Sequence, residues 1–298
     1  MNIFILLLGF IVAFYVIRQL MRFYRKFTSV RVWKENINKH GPLEQILPGI
    51  YRVAVQHGKL TCNMYVYPMM KGGMLIINPM IVNEAVLKQI LQLGNPTVLA
   101  ILCDDQFCPV HTKDVAAWRK KFPESVFACP NKHYQRLVKD IPLVEFLDTT
   151  LEMQIKYEDV SVRFPCDDRS ELHMLLTVKD GKANTEEENR ALVVGEMLHG
   201  DNSDPKNIHE TTIGRVMSTM FKQRAQIGGH FARMAENEHL MGILPSHGLP
   251  LVESADASSS SSSSSSLPRQ NIGVAKETLL KIAATYPKEK PKDSKKSQ

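Results

Sequence analysis

The chain has 298 residues, 44% of them hydrophobic, with a formal net charge of +6. That length and apolar content support one large folded domain or two small ones and exclude a wholly disordered chain. The charge does not point to nucleic acid, because the basic residues cluster beside the N-terminal apolar run and in the C-terminal tail, leaving the middle near balance.

Met1 to Ile17 carries no charge and, extended by Leu20 and Met21, is long enough for a helix to cross a thin bilayer. We expect a transmembrane anchor over 1–21, with a cleaved signal peptide and a buried core helix as the alternatives. Arg18, Arg22, Arg25, Lys26, Arg31 and Lys34 all follow it, which puts the globular part on the cytosolic or an equivalent matrix side of a single-pass membrane protein. The odd count of five cysteines and the lack of an N-x-S/T sequon lean the same way. A basic connector is expected over 22–44.

Three β-rich runs come next, LPGIYRVAV, NMYVYPMM and GGMLIINPMI, separated by turn residues at 57–59 and 71–73 and read as an antiparallel meander. Val82, Val86, Ile90 and Leu93 share one helical face, which Gly94-Asn95-Pro96 ends. Thr97 to Leu102 reads as a strand buried on both faces. The loop after it gathers Cys103, Asp104, Asp105, Gln106, Cys108 and His111 ahead of a helix through Trp118, capped by Thr112 or Asp114. Two thiols five apart with one histidine are compatible with zinc, or with small buried hydrophobes and a turn. A short strand SVFAC, a helix from His133 to Lys139 and strands near LVEFL and EMQIKYEDV follow. ELHMLLTV and ALVVGEM then read as facing strands, with charged loops at 180–189 and 200–207. Thr211 to Met241 reads as two helices broken near Gly228-Gly229. The histidines at 199, 209, 230 and 239 read as surface residues.

The folded domain is expected over 45–253. A Ser-rich linker follows over 254–268, including nine consecutive serines from Ser258 to Ser266. A short amphipathic helix and basic tail occupy 269–298, the helix free to dock on the domain, on a partner or on the membrane.

Strands, then alternating βα units, then strands again point to one α/β domain with packed sheets. In LPGIYRV, NMYVY, GGMLIINPM, NRALVVGEMLHG and ILPSHGLPLV the chain resembles the metallo-β-lactamase fold, which implies a four-layer αββα sandwich over roughly 45–253. The HxHxDH motif of active members is absent, since Cys103, Asp104, Asp105, Gln106, Phe107, Cys108 and Pro109 stand there. By the same resemblance, Asn78 falls where an aspartate usually ends an early strand. Glu196 falls at the metal-bridging aspartate and His247 at the final histidine, while His173 is displaced into a strand. More closely, the chain resembles a branch of that superfamily with no assigned reaction, in which His111 ahead of Trp118, together with Glu171 before a strand, replaces the usual motif. His111, Glu196 and His247 are therefore the candidate metal ligands.

Two functions are compatible with these residues. The favoured one is a membrane-anchored, catalytically inactive binding or assembly module, with no cofactor, a protein partner and the lipid bilayer as its surroundings. The alternative is a metal-dependent hydrolase of a small ester, thioester or lipid-derived substrate, using zinc or iron. No Walker A loop, GxSxG elbow or GxGxxG fingerprint supports a nucleotide or serine-hydrolase reading.

Overall fold

The computed structural model describes residues 9, 12, 13, 15, 16, 20, 39–57, 60–103, 114–130, 159–166, 171–179, 188–211, 215, 223–253 and 273–288. The first sheet is built from β1 (His40–Leu47), β2 (Ile50–His57), β3 (Leu60–Pro68), β4 (Met74–Ile77), β5 (Pro96–Ala100) and β6 (Val126–Ala128), in that spatial order. The expected meander is present, since β2, β3 and β4 pair antiparallel, while β4, β5 and β6 run parallel. β1 extends it at one edge and begins at His40, inside the stretch read as a connector. Helices α1 (Glu84–Leu93) and α2 (Val115–Lys121) make the crossovers. Asn83 caps α1 by accepting from the Val86 N–H at 2.9 Å. Asp114 precedes α2 without capping it; its Oδ2 accepts instead from the Ile81 N–H at 2.8 Å.

The second sheet has the order β13-β12-β9-β8-β7, from β7 (Val160–Arg163), β8 (His173–Thr177), β9 (Asn189–Val194), β12 (His239–Pro245) and β13 (Leu251–Val252). Its central pair, β9 and β12, is parallel. The predicted facing strands β8 and β9 do pair, antiparallel. A hairpin of β10 (Leu198–Gly200) and β11 (Ile208–Glu210) lies apart from both sheets in pairing.

Side-chain alternation with a period of two divides the core into layers. Leu75, Ile77, Val98 and Ala100 of the first sheet pack with Met174, Leu176, Ala191 and Val193 of the second. Their neighbours Met74, Ile76 and Leu99 turn the other way, onto Val86, Ile90 and Trp118 of α1 and α2. Leu175, Leu192 and Val194 turn onto α3 (Arg224–Asn237) and α4 (Val274–Ala284) through Ile227, Phe231, Leu279 and Ile282. The observed order is helices, sheet, sheet, helices.

One reading of the helices needs correction. Gly228-Gly229 does not break a helix, because α3 runs unbroken through both. A Cβ on Gly228 would collide with the Tyr286 side chain, so the glycine serves close helix packing instead of termination. Tyr286 follows α4, and the Arg224 guanidinium sits 4.5 Å over its ring while donating to Glu210 at 2.6 Å. The C-terminal helix thus docks on the domain itself. The predicted helix His133–Lys139, the strand near LVEFL and most of EMQIKYEDV lie outside the described residues, as do the serine run and the basic tail.

Candidate metal centre

Strand register brings the site together. Val194 and Pro245 end the parallel strands β9 and β12 as paired residues, and Glu196 and His247 each lie two residues further on. The ends of parallel strands are where α/β folds gather functional groups, since helices cover the faces and leave the ends open. From this arrangement His247 Nε2 lies 2.6 Å from Glu196 Oε1. His199, on β10, places its Nε2 3.3 Å from the other carboxylate oxygen, Oε2. One donor atom from each of Glu196, His199 and His247 lies within 4.8 Å of the others.

The histidines meet because each is followed by a glycine. Gly200 N–H donates to the His247 carbonyl at 2.9 Å, and Gly248 adopts φ +80° against the Gly200 backbone. A Cβ on either glycine would collide with main-chain atoms of the other loop, so only glycine permits this approach. The imidazole centroids end 4.7 Å apart.

The loop carrying His247 is strapped to the other sheet. Asn63 on β3 donates through Nδ2 to the Pro245 carbonyl at 2.8 Å and to the Gly248 carbonyl at 2.7 Å, and accepts from Arg52 Nε at 2.8 Å. Tyr65 Oη also donates to the Pro245 carbonyl, at 2.6 Å. Ser246 accepts from Asn78 Nδ2 at 2.8 Å and donates to the Val194 carbonyl at 3.0 Å. Asn78 adopts φ 52° and is fully buried. His247 is 1% exposed, whereas the Glu196 and His199 side chains keep about a fifth of their surface in solvent.

Among the sequence candidates, the structure unites Glu196 and His247, and His111 lies outside the described residues. His199, which the sequence alone presents as a surface residue, completes the set. The same reading fails for His230, which is 3% exposed on α3. His-Gly occurs four times, at 40–41, 57–58, 199–200 and 247–248, so the pair alone does not single out His199. Cys103 is buried at the root of the cysteine-bearing loop, and Cys108 is not among the described residues.

Behind the ligand set lies a buried polar chain. His173 Nε2 is 2.9 Å from Glu171 Oε1, and His173 Nδ1 is 3.0 Å from His230 Nε2. Burial pushes the Glu171 carboxyl up to about 8, reinforced by the Glu196 charge and opposed by three backbone N–H donors. Burial pulls His173 down to about 3, so its contact with Glu171 is a hydrogen bond between neutral imidazole and carboxyl and not an ion pair. His230 is pulled down to about 2 by burial and, secondarily, by His173, Arg233 and Arg163.

These shifts set a pH dependence. Each histidine takes up a proton on unfolding, so its stabilising contribution is complete above pH 6.5 and is lost as the pH falls toward 3. Glu171 acts in reverse, with a contribution complete below pH 4.5 that disappears as the pH rises through 8. Between pH 6.5 and 4.5 it offsets one of the two histidine protons. Stability should therefore fall most steeply below pH 4.5, by about 1.4 kcal/mol per pH unit for each proton. Urea midpoints measured from pH 7 to 3.5 check this, with a shallower fall expected for His230→Asn; a flat profile would contradict it.

No family model matches the chain, and no curated protein sequence matches it. Among solved structures it is similar to a fragment, residues 1–254, of a diflavin flavoprotein from Nostoc sp. PCC 7120. The TM-score is 0.45 and the identity 12%, over 82% of this chain and 97% of that one. It is also similar to a metal-soaked flavodiiron core from Synechocystis sp. PCC6803, with TM-score 0.44 and 12% identity over 70% of this chain and 56% of that one. A third similarity is to rubredoxin oxygen:oxidoreductase from the anaerobe Desulfovibrio gigas, with TM-score 0.41 and 10% identity over 81% of this chain and 61% of that one. Likeness at this level says nothing of chemistry, which rests here on Glu196, His199 and His247.

One carboxylate and two imidazoles on a partly open face fit a catalytic zinc or iron site, where three protein ligands leave a position for water.

Proposed function

We propose that the chain is a metal-dependent hydrolase on a metallo-β-lactamase-like αββα sandwich, acting on a small ester, thioester or lipid-derived substrate. The single observation behind this reading is the convergence of Glu196, His199 and His247 at the ends of parallel strands. A divalent zinc or iron ion held there would lower the pKa of a bound water toward neutrality and polarise a carbonyl. Glu196 supplies the negative charge that favours a cation. His247 supplies a buried, rigidly strapped nitrogen, so little ordering entropy remains to be lost on binding. His199 and Glu196 keep the solvent side of the site approachable.

The apolar N-terminal run is proposed to anchor the domain at a lipid bilayer. No described helix is long and apolar enough to cross a membrane, but few residues of this run are described. Those that are described are helical, with Val12, Tyr15, Val16 and Leu20 exposed at 47% or more. Apolar side chains left uncovered in a row suit a lipid surface.

The test is hydrolysis of nitrophenyl esters and acyl thioesters by the full chain with zinc or iron(II) added. Turnover that requires metal and disappears in His199→Ala and His247→Ala is expected. Metal-loaded protein with no turnover above those variants would return the domain to a binding module.

A further inference from the structure

Glu171 touches no proposed ligand atom, yet the site's geometry converges on it. It lies two residues before β8, and its main chain bridges Cys103, three residues beyond the end of β5, with Leu172 N–H donating to the Leu102 carbonyl at 2.7 Å. The side chain, 5% exposed, reaches under the turn that follows β9. There Oε1 accepts from the Gly195 N–H at 3.0 Å, and Oε2 accepts from the Glu196 N–H at 3.1 Å and the Met197 N–H at 3.2 Å. Three successive N–H groups wrapped on one carboxyl leave the Glu196 backbone little freedom. The fit is tight, since a Cβ on Gly195 would lie 2.9 Å from Glu171 Cδ. His173 holds the carboxyl from the far side, and His230 on α3 holds His173.

We propose that Glu171 is the positioning residue of this site, fixing the 195–197 turn so that Glu196 meets His199 and His247 without reorganising. This rests on the metal-binding reading above. A carboxyl group suits the task better than an amide. Both its oxygens face N–H donors, so the amide nitrogen of a glutamine must oppose one of them in either orientation. Removing such a partner, one shell out from the metal, typically weakens binding by about 10- to 100-fold.

The test is calorimetric titration of zinc, with the visible spectrum of the cobalt(II) form, on the full chain, on Glu171→Gln and on Gly195→Ala. Gly195→Ala keeps every polar group but pushes the carboxyl off the turn. Near-stoichiometric binding to the unchanged chain is expected, with a dissociation constant about 10- to 100-fold higher and an altered cobalt spectrum in both variants, at native circular dichroism. If the unchanged chain takes up no metal, the metal reading itself fails, and this inference with it. If it binds, and either variant that keeps a native fold binds equally tightly with an unchanged cobalt spectrum, the positioning role is overturned while the metal site stands.

Discussion

Replacing Gly248 with alanine is expected to cost about 3 kcal/mol or more of stability and to abolish metal binding. Two penalties add. Gly248 sits at φ +80°, where a side chain is strained, and its new Cβ would strike the Gly200 carbonyl, a main-chain atom that cannot swing away. Gly72→Ala separates the two effects. That glycine has φ +91° with nothing within 4 Å, so only the conformational strain remains, about 1 kcal/mol. Thermal unfolding of both variants checks the difference; equal losses would mean that the Gly200–Gly248 contact is not what holds the two histidines together.

The second large effect belongs to Asn63→Ala. The substitution leaves Arg52 Nε and the Gly248 carbonyl without their buried partner, whereas the Pro245 carbonyl keeps Tyr65. At about 1 to 3 kcal/mol for each orphaned group, a loss near 3 kcal/mol is expected. The backbone bonds from Asn63 N–H to the Ser246 carbonyl and from Gly248 N–H to the Thr61 carbonyl persist, so the fold should survive with His247 less firmly held. Denaturant unfolding and zinc titration should therefore both shift. A stability change below about 1 kcal/mol would show that the strap is dispensable.

The meander and the β8–β9 pair were legible in the sequence because alternating apolar residues and turn residues report local geometry directly, whereas the layer order was legible only through family resemblance. Glu196 and His247 were legible only through family resemblance. Their proximity follows from the Val194–Pro245 register, which joins residues 51 apart and has no local signature. His199 was missed because a histidine ahead of a polar stretch carries no sign of its partners, and the His-Gly pair it belongs to occurs four times in the chain. Gly228 misled for a related reason. A glycine kept for contact with Tyr286 looks, in sequence, like one that ends a helix. Glu171, too, was legible only through family resemblance, since three backbone N–H donors leave no trace in side-chain identity.

Glu196, His199 and His247 are proposed to hold one metal ion. The most direct measurement is the metal content, by mass spectrometry, of the full chain purified without chelator, beside His199→Ala and His247→Ala. Close to one equivalent of zinc or iron per chain is expected, lost in both variants while circular dichroism stays native. A folded chain free of metal that takes up none when zinc or iron(II) is supplied would contradict it, as would metal retained in full by both variants.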